Sequence, residues 1–274
     1  MPLQVELRDN QSIDLIQLPF AKIFFKLAIP NLYSTLIAAV TVIFDLWYVG
    51  QIGVSELAGV AYIFPIYMLT SMLSNGAFGG AISGAIARSF GSGNIFQAEC
   101  VFRSAILIAF LGSIIMMLIF FSLAGTFFTY FEINKEVTLS ALSYGNILIG
   151  GIFLIWLFNI IISVTRGSGN TLIPAFGWSI VLLFHIFVAS MNFDFKDGTL
   201  ILAENVRLFN GIIIFSALQW SVISLLSGYF IGIVFVLCFY AFGKHSFTFN
   251  IKDIFRINGI VKLSKSGSLA SCQS

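Results

Sequence analysis

The sequence predicts an all-α integral membrane protein built as a six-transmembrane-helix bundle, and three observations predict it. The first is composition: 58% of the 274 residues are hydrophobic, 9% are charged and 31 are Phe, whereas a soluble domain carries about a quarter charged residues. The second is a series of uncharged runs: Leu27–Phe44 (extended by Leu46–Ser55), Leu57–Ala87, Ser104–Phe131, Val137–Thr165, Gly167–Phe193 and Leu208–Gly243. Each holds the ~20 apolar residues that a bilayer-spanning helix needs. The third is the placement of basic residues. With a cytoplasmic N-terminus, that side receives Arg8, Lys22, Lys26, Arg88, Arg103, Arg166, Lys244, Lys252, Arg256, Lys262 and Lys265, against Lys135, Lys196 and Arg207 opposite. Eleven against three is a positive-inside bias, and it puts both termini in the cytoplasm.

Taken in order, residues 1–21 form a polar cytoplasmic segment. Its Glu6, Asp9 and Asp14 do not fit the basic-then-apolar order of a secretion signal. Residues 22–243 are the six-helix lobe, with spans near 24–50, 57–87, 102–124, 137–164, 172–192 and 209–242. Residues 244–274 place Ile251, Ile254, Phe255, Ile257 and Val261 among Lys252, Arg256 and Lys262. That pattern predicts an interfacial amphipathic helix. Cys100, Cys238 and Cys272 are odd in number and far apart, which suggests neither a disulfide framework nor a metal site.

Within the first span, Asn31, Ser34, Ala38, Thr41 and Asp45 recur at spacings of three and four, so small and polar groups share one helix face. Packing through small residues is the plain reading for the serine and threonine. Asp45 differs, because a carboxylate in hydrocarbon costs a few kcal/mol and usually faces a protein interior or a watery cavity. With the span centred near Ala38, seven residues of rise put it about 10 Å from the midplane. A solvated position just inside the outer interface is the alternative to a cavity.

Pro30 and Pro65 lie inside spans, where each removes a backbone hydrogen bond. Gly76, Gly80 and Gly84 in the second span, and Ser221, Ser224, Gly228 and Gly232 in the last, predict close-packing faces. Asn159 and Gln219 are polar mid-span groups for which bonds between helices are expected. The strings Gly91-Ser-Gly-Asn94 and Gly167-Ser-Gly-Asn170 follow Arg88 and Arg166. A basic residue complements the helix C-terminus and a glycine permits a left-handed cap. No GxGxxG follows a strand, so no nucleotide site is expected.

These residues carry a family resemblance. Asp45-Leu-Trp-Tyr-Val-Gly-Gln-Ile-Gly-Val-Ser-Glu-Leu-Ala-Gly59 resembles the first-helix signature of the multidrug and toxic compound extrusion (MATE) family, in which an aspartate precedes a VG-x-x-G-x-x-x-LA loop. Pro30 is similar to that family's helix-one proline. Gly80–Gly93 and Arg166-Gly-Ser-Gly-Asn-Thr-Leu-Ile-Pro174 are similar to its turns after helices two and four. The resemblance runs from about Phe24 to Pro174 and is weaker beyond. It implies one lobe, the N-terminal one, of a twelve-helix transporter whose two lobes enclose a cavity. It further implies a secondary antiporter that exports organic cations or other amphipathic xenobiotics in exchange for sodium ions or protons. The coupling ion is then Na+ or H+, with no other cofactor and no metal beyond a sodium ion at Asp45.

Residue by residue, Asp45 corresponds to the family's helix-one aspartate and Asn192 to its helix-five asparagine, with Phe193 where a proline is expected. The second aspartate, four residues on, would fall at Lys196, and Asp194 and Asp197 lie on either side. Ser221 aligns with the helix-six threonine and keeps a hydroxyl. The expected cation-binding set is therefore Asp45, Asn192, Asp194 and Ser221, with Asn31, Ser34 and Thr41 lining the cavity.

Two other functions are alternatives. A lipid-linked oligosaccharide flippase would share the architecture but place more basic residues within the cavity spans. A non-functional transporter fragment is the other, since one lobe needs a second lobe or a second copy to close a cavity. An enzyme is not expected: His185 and His245 are the only histidines, no HExxH occurs, and His185 is expected to be packed or hydrogen-bonded. The expected partners are an amphipathic small molecule and the bilayer of a cell membrane (plasma or bacterial inner), without nucleic acid.

Overall fold

The computed structural model describes residues 19–196, 199–202, 205–208 and 213–242, with Phe20, Ala21, Ile23, 194–196, 199–202, 205–208, 213–214 and Phe242 described in backbone only. The helices are α1 (Phe20–Ile52), α2 (Val54–Ser71), a π-helical turn (Met72–Ala77) running into α3 (Phe78–Gly91), α4 (Ile95–Tyr130), α5 (Lys135–Gly150), α6 (Ile152–Gly167), α7 (Leu172–Ser190) and α8 (Ala217–Phe242). Five apolar stretches are long enough to cross a bilayer, the second formed by α2, the π turn and α3 together. A sixth is the α5–α6 pair, bent by 48° at Gly150–Gly151. The six expected spans are thus present among the described residues. The N-terminal segment up to Leu18 and the amphipathic tail from Gly243 onward lie outside them.

Pro30 and Pro65 sit inside α1 and α2 without ending them. The two GSGN strings build matching turns. Gly93 and Gly169, the third residue of each, have φ of +71° and +85°, the left-handed region that glycine tolerates best. The asparagine that follows then caps the next helix: Asn94 Oδ1 accepts from the Gln97 N–H at 3.0 Å, and Asn170 Oδ1 from the Ile173 N–H at 3.2 Å.

α6 is enclosed on most sides, with α3, α4 and α8 packed against it, and Trp156 and Phe158 are fully buried in that core. α1 packs on α7, α2 on α5, and α7 on α8. Outward-facing side chains such as Leu32, Ile43, Leu118 and Phe187 are large and apolar, as lipid contact requires.

The structure departs from the sequence reading in three places. The last span begins at Ala217 rather than near residue 209. Four short strands fill the interval: β1 (Phe193–Lys196) pairs antiparallel with β2 (Thr199–Leu202), and β3 (Asn205–Leu208) with β4 (Ile213–Ser216). Two residues, Asp197-Gly198, separate β1 from β2, and that dipeptide is a favoured hairpin connection. Gln219 bonds within its own chain segment rather than across helices. Its Oε1 accepts from the Ser216 N–H at 3.2 Å and its N–H donates to Ser216 Oγ at 3.3 Å, a reciprocal capping box. Asn159 does bridge helices, donating from Nδ2 to Ser74 Oγ at 2.8 Å.

The glycine stripe is the third departure. Gly76 and Gly80 have open space where a Cβ would stand, so neither packs against a helix among the described residues. The close approach falls on Gly79, where a Cβ would lie 2.5 Å from Ser163 Oγ on α6. In α8 the expected packing face is present: a Cβ on Gly228 would lie 2.6 Å from the Val181 carbonyl oxygen, so α7 and α8 meet backbone to backbone.

Candidate cation-binding site

α1 carries Asp45 into the space between α2, α5, α7 and α8, where its side chain is buried to 5% exposure. Three helices reach it. Tyr144 on α5 donates its hydroxyl to Oδ2 at 2.6 Å. Ser221 on α8 donates to Oδ1 at 2.5 Å. His185 on α7 brings Nε2 to 3.6 Å from Oδ1. Among the described residues, no lysine or arginine lies within 4.0 Å of this carboxylate, and His185 is its basic neighbour. Hydrogen bonds to a charged acceptor are the stronger kind, and two of them hold Asp45 in place of bulk water.

Donor and acceptor inventories fix the histidine tautomer. Ser224 Oγ has one hydrogen and donates it to the Ser221 carbonyl at 2.7 Å. Its oxygen must therefore accept from His185 Nδ1–H, 2.8 Å away. In the neutral ring, Nε2 then turns a lone pair toward a carboxylate oxygen. Nε2 is buried without a hydrogen-bond partner, so this 3.6 Å gap joins two electron-rich atoms. A cation or a proton is the species that makes such a juxtaposition favourable.

A cavity of about 10 Å³ adjoins Asp45, lined also by Tyr67, Tyr144, Val60, Phe64 and Leu225, at the lower limit for one water-sized occupant. Tyr67, which lines it, shares a 2.9 Å hydrogen bond between hydroxyls with Tyr229.

Asp45 and Ser221 are thus in direct contact. Asn192 is not: it is 3% exposed and donates from Nδ2 to the Tyr48 hydroxyl at 2.9 Å, one turn farther along α1. Phe193 packs edge-on against Tyr48, with ring centroids 5.6 Å apart. Asp194 falls in β1 opposite Ile201, and its side chain lies outside the described residues, as does Asp197 entirely. Ser34 and Thr41 are buried but donate to their own helix, to Pro30 O and Ile37 O, each at 2.8 Å. Asn31 is exposed and accepts from Arg166. None of these three borders the cavity beside Asp45. Tyr144 was not foreseen. Its only signal was the four-residue step from Ser140 on a face that turns out buried, and a tyrosine in an apolar run reads first as core or interface belt.

The model of the MatE family matches residues 30–191, a stretch that contains Asp45, Tyr144 and His185. The chain belongs to the MatE family. Its fold is similar to that of solved MATE structures. One is the outward-facing conformation of a multidrug resistance MATE family transporter of the MOP superfamily, at TM-score 0.68 and 16% identity over 87% of this chain and 49% of that one. Another is a MATE crystal structure in complex with MaD3S, at TM-score 0.71 and 18% identity over 91% and 52%. A third is a MOP superfamily transporter from Pyrococcus furiosus, at TM-score 0.68 and 16% identity over 91% and 51%. This MatE chain spans about half the length of these structures. It is also 27% identical over 97 residues to an FAD transporter of Shewanella oneidensis, covering 35% of this chain and 21% of that protein.

Proposed function

We propose that this MatE chain supplies one lobe of a secondary active antiporter that exports organic cations or other amphipathic compounds in exchange for sodium ions or protons. The observation that carries the reading is Asp45, a buried carboxylate held by hydroxyls from two other spans and faced by His185 Nε2. A charge so placed is costly when unpaired, and binding Na+ or H+ between Asp45 and its neighbours removes that cost. Ser221 and Tyr144 stand on helices other than α1. Cation binding and release therefore change what ties α1 to α5 and α8, and bias the lobe between two packings. Ser221 provides a second oxygen for Na+, Tyr144 a third, and Asn192 orients the outer end of α1 through Tyr48. A second lobe, or a second copy of the chain, completes the cavity. The asymmetry of basic residues supports cytoplasmic termini in this reading, with the lobe in a plasma or bacterial inner membrane.

The test is ethidium efflux from proteoliposomes under an imposed sodium or proton gradient, comparing the wild type with Asp45→Asn. Gradient-driven efflux falls to the level of empty vesicles in the variant. Efflux equal in both proteins would sink the role given to Asp45.

A further inference from the structure

Arg166 stands apart from the Asp45 site, in the last turn of α6, and is half-buried. Its guanidinium runs back along the helix. Nη1 donates to Asn31 Oδ1 at 3.4 Å on α1, and Nη2 to Ser163 Oγ at 3.1 Å and to Asn75 Oδ1 in the π turn. Nε is buried without a partner. Among the described residues no carboxylate lies within 4.0 Å of it. The guanidinium therefore reaches back from the end of α6 to the π turn, and every side chain that it touches there is neutral.

The partners are neutral, and their side-chain oxygens face the guanidinium. A guanidinium only donates, so both asparagine amide oxygens must face it, which turns both Nδ2 groups away as donors. Ser163 gives its own hydrogen to the Asn159 carbonyl at 2.8 Å and accepts from Arg166. What the set presents beside the cation is a pair of amide donors turned away from it. That set is complementary to an oxyanion, which an arginine fork binds in a fixed geometry. The way in is open, since Asn31 is exposed and Gly76 and Gly80 leave empty space on the same stretch as Asn75.

We propose that Arg166, Asn31 and Asn75 form a receptor for a phosphate or carboxylate group, carried by a transported molecule or by a lipid headgroup. The same set also keeps the uncompensated charge of Arg166 solvated by amides until such a group arrives.

The test uses the purified full chain in an uncharged detergent, with two probes. Native mass spectrometry reads retention of phosphatidylglycerol against phosphatidylcholine, and equilibrium dialysis reads binding of 1-naphthyl phosphate. The wild type binds at least one anionic probe, and Arg166→Gln weakens that binding about tenfold or more. Arg166→Lys restores part of it, and added salt weakens it. Preference for phosphatidylglycerol assigns the headgroup as the ligand, whereas naphthyl phosphate binding assigns a transported anion. If Arg166→Gln does not fold, Asn75→Leu keeps the arginine and removes one donor, and binding falls several-fold. The proposal is overturned when the wild type binds neither probe, or when the folded variants bind both as tightly as the wild type. Asp45 takes no part, so the outcome is separate from that of the cation site.

Discussion

Replacing Tyr144 with phenylalanine isolates one hydroxyl at the center of the site. The ring is 4% exposed and its hydroxyl donates at 2.6 Å to a carboxylate that is itself 5% exposed. Phenylalanine fills the same ring volume, so no packing term enters. What disappears is a hydrogen bond to a charged acceptor, worth about 1.5–3 kcal/mol, in a place where water does not substitute freely. For a chain of this size, each kcal/mol moves the melting midpoint by about 2–4 °C, so the expected drop is roughly 3–12 °C. In an Asp45→Asn background the acceptor is neutral and the same change costs about 1 kcal/mol or less. The double-mutant cycle therefore returns a coupling of about 1–2 kcal/mol. Thermal unfolding of the purified chain in detergent, followed by tryptophan fluorescence, measures all four proteins. Equal losses in both backgrounds would refute the idea that Tyr144 acts through the Asp45 charge.

Gly228→Ala pushes a methyl against the Val181 carbonyl oxygen and costs about 1–3 kcal/mol, whereas Gly80→Ala meets empty space and is neutral or gains up to about 1 kcal/mol of helix propensity; melting midpoints of the pair check the contrast. Ser216→Ala removes one arm of the α8 capping box and lowers stability by about 1 kcal/mol, read in the same assay. Ser221→Ala weakens binding of the coupling cation about tenfold by removing a hydrogen-bonded oxygen from Asp45, and Ser221→Thr retains it; radiosodium binding and proton release give the comparison.

The spans were legible because charges are scarce and the apolar runs are long, and Asp45 stood out because a carboxylate in such a run is expensive. Ser221 was reachable through its alignment with a hydroxyl-bearing position of the family. Tyr144 and His185 were not assigned to the site. A phenol and an imidazole in apolar runs look like ordinary core or interface groups until the other helices are in place. Periodicity marks a helix face but not what covers it, which is why the Gly76–Gly80–Gly84 stripe was read as packed when the contact falls on Gly79. The hairpins between α7 and α8 were hidden by the apolar run from Leu208. Asp197-Gly198 and the Ser216-to-Gln219 spacing were the two local signals that pointed away from a helix starting near residue 209. The partners of Arg166 were least readable from spacing: its position at a helix end suggested a cap, whereas the side chain reaches back to Asn75.

Cation occupancy at Asp45 can be measured without any transported substrate. Equilibrium binding of radiosodium to the purified chain, with proton release followed by a pH indicator when tetraphenylphosphonium is added, compares wild type with Asp45→Asn. The wild type binds sodium or releases a proton, and the variant does so at least tenfold more weakly. Sodium binding and proton release that are unchanged in Asp45→Asn would contradict a cation site at this carboxylate.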